Sequence, residues 1–483
     1  MWTDCRSPTT GAVDRLDFSR EADMTDLLRS ECILSEESTG SITRAQIVSF
    51  SLASFVPAIG MSILPMLMVS VAGRGAWVAT LLSAIAVICI GVSTICFARR
   101  YVASGSLYSY VGFVYGPWAK WVTGSALLLG YIVQVSGIAG LTAMFLGSFL
   151  VNFGVLQSSS VSVEVAIFAV VTGLGAYVSY RGLDASIRVT VFLCAISVPF
   201  IAFITFAVAN HTGLQLETQF DLSAIDIKAV IQGVATGAVF LVAFESCTSL
   251  AAETQNPKKN IPWAVMSVPV VLGATYLLCT FLQTPGLMEV KDEIAAGTSA
   301  PAALAHLAGL PSWVGMLTDA VFSLALFASM VGFLNYGARF LMALSSECFL
   351  PLAIQSRGNK WGTPGVAIWT LAISGFVVMA FAALLIGNLA TAYSATATLC
   401  VFAWIPPYVL ICIGAIRLAF RGVFRKTIVV PASLFGGATM VWAYANFLLS
   451  PPASKIDAAM SWVIVLILVF LMGVFFLVKR VPR

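Results

Sequence analysis

Long apolar runs, separated by short polar stretches, recur from residue 47 to the end of the chain. Wound as helices at about 1.5 Å per residue, runs of that length match the hydrocarbon core of a bilayer, about 30 Å thick. The pattern predicts twelve spans: 47–71, 77–98, 118–150, 162–180, 187–209, 229–252, 263–284, 312–345, 365–386, 389–416, 427–449 and 460–479. The third and eighth are longer than a perpendicular helix needs, so they should tilt or protrude. Residues 1–46 stand apart, with nine acids, five arginines and no apolar stretch suited to a signal peptide. That stretch predicts a solvated, disordered tail.

Two spans are interrupted at matching places. The first carries Pro57, Gly60 and Pro65, and the sixth carries Gly233, Gly237 and then Ala243-Phe244-Glu245-Ser246. Spans one and six run in opposite directions in this layout, which is the sign of inverted five-helix repeats meeting near the bilayer midplane. Gly and Pro are also common in membrane helices for packing reasons alone, so a simple proline kink is the competing reading.

Charge supports the layout. With an even number of spans both ends share one side, and 22 of the 26 Lys and Arg residues fall there. The other side receives only Arg74, Lys228, Lys291 and Lys455. By the positive-inside rule both termini are expected in the cytoplasm, and the expected location is the plasma membrane. Composition agrees: 59% hydrophobic, 10% charged, mean hydropathy +0.95. The formal charge of +4 is too small to imply a nucleic-acid partner. Eight cysteines (Cys89, Cys96, Cys194, Cys247, Cys279, Cys348, Cys400, Cys412) lie in or beside apolar runs. They read as packing residues, with neither metal spacing nor a disulfide framework.

Four segments carry a resemblance. Ile59-Gly60-Met61-Ser62-Ile63, Ser104 to Tyr110 through Gly116-Pro117, Phe244-Glu245 through Ile261-Pro262, and Asn335 to Arg339 with Leu350-Pro351 together resemble the amino acid–polyamine–organocation (APC) superfamily of permeases. The resemblance implies an all-α integral membrane protein with a LeuT-like 5+5 inverted repeat, helices 1–5 and 6–10, plus two C-terminal helices. The transporter core then covers 47–420, with repeats 47–210 and 229–416, and residues 427–483 hold the last two helices and a short C-terminus. Two departures from the family pattern narrow the room beside bare backbone: Ser62 replaces the second glycine of the first-helix motif, and Ala243 replaces the glycine before Phe-Glu. The fifth-helix lysine of many proton-coupled relatives is absent, and Cys194 lies near its position.

The chemistry of broken helices points to a substrate. An unwound turn leaves N–H groups on one half-helix and C=O groups on the other without partners. The half beginning after Gly60 should hold a carboxylate, and carbonyls near Pro57–Ile59 and Val242–Phe244 an ammonium. An α-amino acid or related amine fits both, and Ile59, Gly60, Met61, Ser62, Ala243, Phe244 and Glu245 are the expected contacts. Glu245 lies in an otherwise uncharged run and is a functional candidate by default. It reads as a proton-coupling acid, a partner for the ligand's ammonium, or a buried acid hydrogen-bonded to backbone. Phe244 reads as a gate over the ligand or as core. Glu253 with Lys258 and Lys259 reads as an inner gate or salt bridge. Asp319 reads as a vestibule residue or a headgroup-level acid, and Gln134 as pore-facing or bonded to a neighbouring helix. His211 and His306 fall in outer loops, and Asn210-His211-Thr212 matches a glycosylation sequon.

No zinc-protease motif, phosphate loop or intramembrane histidine supports an enzyme. No metal or cofactor is expected; the partners are a small-molecule substrate and the lipid bilayer. The expected function is secondary active transport by alternating access, coupled to protons or proceeding by exchange; the alternatives are a polyamine or cationic amino acid exchanger and a nutrient-sensing receptor on a transporter scaffold.

Overall fold

Polar caps and prolines set the ends of the long apolar helices. Thr43 forms a capping box with Gln46, and the side chains of Asp226 and Asn388 accept from the N–H groups of Lys228 and Thr391 at 2.8 Å. In the computed structural model, residues 40–157, 160–221, 223, 225–295, 298–357, 360–449 and 455–480 are described. Most of the expected tail lies outside those residues, and its last residues, Arg44–Gln46, already belong to the first helix.

The helices are α1 (Arg44–Ser54), α2 (Pro57–Ala72), α3 (Ala76–Ala98), α4 (Leu107–Tyr115), α5 (Pro117–Asn152), α6 (Val161–Tyr180), α7 (Leu183–Thr212) and α8 (Ile227–Phe240). They continue as α9 (Pro257–Ser267), α10 (Gly273–Glu289), α11 (Ala300–Leu307), α12 (Ser312–Ser346), α13 (Gly365–Ile386), α14 (Leu389–Phe420), α15 (Lys426–Leu449) and α16 (Lys455–Arg480). A π-helical turn, Val268–Leu272, joins α9 to α10. Among the described residues the only β feature is an isolated bridge between Ile42 and Thr254.

Ten helical stretches are long and apolar enough to cross a membrane, against twelve expected spans. The difference has two sources. The first and second spans run on through a tight turn at Gly73–Gly75 and count as one stretch, Pro57–Ala98. The sixth is broken, so its regular part, Ile227–Phe240, is too short to count. The long third and eighth spans are as expected, at 36 and 35 residues.

Burial separates scaffold from periphery. In their apolar windows α12 and α5 are 78% and 72% buried and α16 only 17%, so the first two form the interior wall and α16 presents its apolar side chains outward. Such an apolar exterior on an all-helical chain is an all-α membrane fold. Seven of the eight cysteines are free thiols, whereas Cys348 is disulfide-bonded, contrary to the expectation of packing alone.

Candidate functional site

Both helix breaks exist, and each is made by a residue other than glycine at positive φ. In the first span the helix stops at Phe55 and restarts at Pro57, with Val56 at φ 48°. In the sixth, regular helix ends at Phe240, the chain turns through Leu241–Glu245 with Ala243 at φ 71°, and a 3-10 helix runs over Ser246–Glu253. The first break therefore lies a turn earlier than expected. Pro57 opens the second half, a position its missing N–H tolerates, and Gly60 N–H already bonds Val56 O at 3.2 Å. By helix geometry the donors left over are those of Ala58 and Ile59, not groups beyond Gly60. The halves pack across the pair of spans: a Cβ on Gly233 of α8 would sit 3.4 Å from Ala72 of α2.

A neighbouring helix pins each break. Ser329 Oγ on α12 donates to Ser54 O at 2.6 Å, satisfying a carbonyl at the end of α1, and Tyr336 Oη lies 3.2 Å from Ser54 Oγ. On the other break the N–H of Ala243 donates to Tyr408 Oη of α14 at 2.7 Å. Tyr408 in turn donates to Glu245 Oε2 in a short hydrogen bond, and Trp404 Nε1 donates to Glu245 Oε1 at 3.0 Å. Glu245 is fully buried, and both its oxygens are held by side chains of α14.

Aromatic rings close around this clamp. Phe244 stacks on Tyr408 with centroids 5.7 Å apart, and Tyr131 of α5 meets Trp404 edge to face at 5.2 Å. Gly130 admits the Trp404 indole against α5; a Cβ there would overlap the ring. Tyr131 Oη and Ser246 Oγ are buried without a hydrogen-bond partner, as is Tyr276 Oη of α10. The Tyr276 ring lies where a Cβ on Gly60 would go. Ile59, Met61 and Ser62 are buried beside it, and Met61 O accepts from Gln283 Nε2 at 2.9 Å. Unpaired buried hydroxyls cost free energy, which a polar ligand lodged beside the breaks would offset.

The tail-side end of the sixth span is closed by Glu253, with different partners from those expected. Arg339 of α12 grips Glu253 bidentately at 3.0 and 2.9 Å and also donates to Asn335 O and Oδ1, while Arg357 lies 3.8 Å away. Lys258 and Lys259 are exposed and take no part in that ion pair. Burial pushes the Glu253 carboxyl up, but Arg339, by charge and hydrogen bonding, and then Arg357 outweigh it and hold it below the usual carboxylate range. Nearby, Thr248 Oγ1 donates to Ser106 Oγ at 2.8 Å, and the backbone of Ile42 pairs with Glu253 O and Gln255 N–H at 3.1 and 2.9 Å.

The remaining candidates lie elsewhere. Gln134 Oε1 accepts from Cys400 Sγ at 2.7 Å, joining α5 to α14. Asp319 is 8% exposed, accepts from Ser148 Oγ at 2.6 Å and lines a separate cavity. His211 and His306 are exposed. Sequence reading missed Trp404, Tyr408, Tyr276 and Ser329. The available signal was Trp404 and Tyr408 at i, i+4 around Pro406-Pro407, two polar-tipped aromatics one turn apart in an apolar stretch.

The family pattern described as amino acid permease matches residues 41–471. A branched-chain amino acid permease of Bacillus subtilis is 22% identical over 310 residues, covering 62% of this chain and 65% of that protein. Its counterpart in Lactococcus lactis is 25% identical, covering 58% and 62%. A chloroplastic cationic amino acid transporter of Arabidopsis thaliana is 22% identical, covering 58% and 50%. The chain thus spans less than two thirds of the length of these relatives. In fold it is similar to a Na+-coupled sialic acid symporter solved in a substrate-bound outward-open state, with TM-score 0.52, 13% identity, and 87% of this chain and 96% of that one covered.

Proposed function

Because this chain belongs to the amino acid permease family, we propose that it is a secondary transporter that moves an amino acid across the plasma membrane by alternating access. Twelve spans form a LeuT-like pair of inverted repeats, helices 1–5 and 6–10, followed by two further helices, with both termini in the cytoplasm. The observation that carries the reading is the pair of breaks at Val56 and Ala243, each pinned by one polar side chain of an intact scaffold helix. The substrate carboxylate takes the N–H groups of Ala58 and Ile59, and its ammonium takes carbonyls of the Leu241–Phe244 turn.

The substrate is a neutral amino acid with an apolar side chain. Glu245 has both oxygens engaged by Trp404 and Tyr408, so it offers no free charge to a cationic side chain. Ile59, Met61 and Phe244 supply apolar walls, and the bacterial relatives named for branched-chain amino acids agree with that choice.

Glu245 couples a proton to the cycle. Ionised, it accepts from both Trp404 and Tyr408, and Tyr408 remains free to accept from Ala243 N–H. Protonated at Oε2, it becomes a donor toward Tyr408, whose own proton then lacks an acceptor; the hold on the Ala243 turn weakens. Purified protein in sealed vesicles, given a panel of labelled amino acids with and without sodium and a pH gradient, tests the reading. Saturable uptake of leucine-like substrates driven by an inward proton gradient is expected, and no uptake of any amino acid would overturn it. A reporter after Arg483 should report the cytoplasm, and a tag between Glu217 and Asp226 the outside.

A further inference from the structure

Asp319 sits within α12, inside a membrane-spanning window, without the partner a buried carboxylate calls for. One oxygen accepts from the neutral hydroxyl of Ser148 on α5 at 2.6 Å. Among the described residues no lysine, arginine or histidine pairs with it, and its second oxygen has no hydrogen-bond partner. A buried acid in a membrane helix costs several kcal/mol unless protein, water or a ligand compensates it. Asp319 also faces space: it lines a cavity of about 640 Å³ between the ends of α5 and α12 remote from the tail and the short helix α11. Phe145 and Met316 line the same cavity, and His306, at its α11 wall, lies 3.6 Å from Glu293.

We propose that this cavity is a second ligand site, apart from the two breaks, which receives the primary ammonium group of an amino acid or small alkylamine on Asp319. The second oxygen of Asp319 and the Ser148 hydroxyl supply acceptors, and the apolar walls take the ligand's carbon chain. Met144, Phe145, Leu310 and Met316 give the carbon chain an apolar wall, and a volume of about 640 Å³ suits an organic ammonium better than a bare metal ion. Substrate held there is concentrated beside the far-side entrance before it reaches the breaks. This last role rests on the permease reading above; the binding itself does not.

The test is calorimetric titration of n-butylammonium chloride into the full-length purified protein, with sodium chloride as a parallel arm. Wild type should bind the amine saturably, and Asp319→Asn should weaken binding roughly tenfold or more. Gly315→Leu, which fills the cavity from a backbone position where a Cβ would make ordinary 3.4 Å contact with Ala302, should do the same if Asp319→Asn fails to fold. Gly60→Leu, which blocks the central site, should leave amine binding intact. Amine binding that survives both cavity variants, or that disappears in Gly60→Leu, would overturn the proposal; so would sodium binding that depends on Asp319 and excludes the amine. In vesicles, Asp319→Asn should raise KM for leucine while kcat holds, whereas a merely structural Asp319–Ser148 link would lower kcat. Absent amine binding with intact uptake sinks this site alone, and intact amine binding without any uptake sinks the permease reading alone.

Discussion

The two breaks solve the same problem with opposite chemistry. At the first, α12 supplies a donor, Ser329, to a carbonyl, and every group around Ser54 is neutral. At the second, α14 supplies an acceptor, Tyr408, to an N–H, and a carboxylate stands behind it. The first break spans two residues, Phe55 and Val56, and the second a five-residue turn. A neutral, short break is indifferent to protons and suited to holding a substrate in one geometry. A long break whose anchor is itself held by an ionisable group responds to protonation. On the proposed function, that difference divides substrate binding from proton coupling between the two breaks.

The largest effect expected on uptake is at the neutral break. Gly60→Leu drives a side chain into the Tyr276 ring, and overpacking of that kind costs roughly 1–3 kcal/mol or more. Uptake should vanish while membrane insertion persists, and shortening the obstacle with Tyr276→Ala in the same chain should restore part of it. Normal substrate affinity in Gly60→Leu would remove the first break from the binding site.

Next is the lock below the second break. Arg339→Ala leaves Glu253 with Arg357 alone and loses the bonds to Asn335; because Glu253 is 24% exposed, the cost should lie at or below the lower end of the roughly 3–5 kcal/mol for breaking a buried pair. Measured by thermal unfolding in detergent, the loss should also depend on pH. Because the folded Glu253 carboxyl is held below its ordinary range, its stabilisation is present above that range and fades as pH falls through the depressed folded value. Wild type and Arg339→Ala should therefore converge in acid; a gap that stays constant down to about pH 3 would locate the effect in packing instead.

Much of the scaffold was legible in the sequence because a bilayer forces it: apolar helices of fixed length, with charge at their ends. The sequence also marked Gly60 and Glu245, since a glycine between prolines and an acid in an apolar run are locally anomalous. It misplaced the first break by a turn, because the second half was taken to begin after Gly60, whereas Pro57 already begins it. It paired Glu253 with the adjacent Lys258 and Lys259, but long-range geometry delivers Arg339, 86 residues away. Trp404 and Tyr408 escaped for the same reason: their meaning depends on what α14 meets, which local pattern does not encode.

Glu245→Gln tests the ionisable break. One amide oxygen can still accept, but the NH2 group then confronts Tyr408 or Trp404 as a second donor, at a cost of about 1–3 kcal/mol. Substrate binding should survive in weakened form, and the pH dependence of uptake should flatten between roughly pH 5 and 8. A mutant with the wild-type pH profile would make Glu245 a structural acid and erase the proposed difference between the breaks.

The smallest effect sharpens the comparison at the backbone. Val56 and Ala243 both sit at positive φ, where an L-residue pays about 1–2 kcal/mol relative to ordinary helix. Glycine removes that strain but adds about 0.5–1 kcal/mol of unfolded-state entropy. Ala243→Gly sheds only a methyl group and should stabilise the protein by up to about 1 kcal/mol. Val56→Gly also gives up a half-buried side chain, worth about 1 kcal/mol at partial burial, so its net change should lie near zero or below. If strain at the second break stores part of the energy for opening, Ala243→Gly should also slow transport while raising the unfolding temperature. Ala243→Gly that is less stable than wild type would mean that the turn is relaxed as built, with Tyr408 and Glu245 alone holding it in readiness.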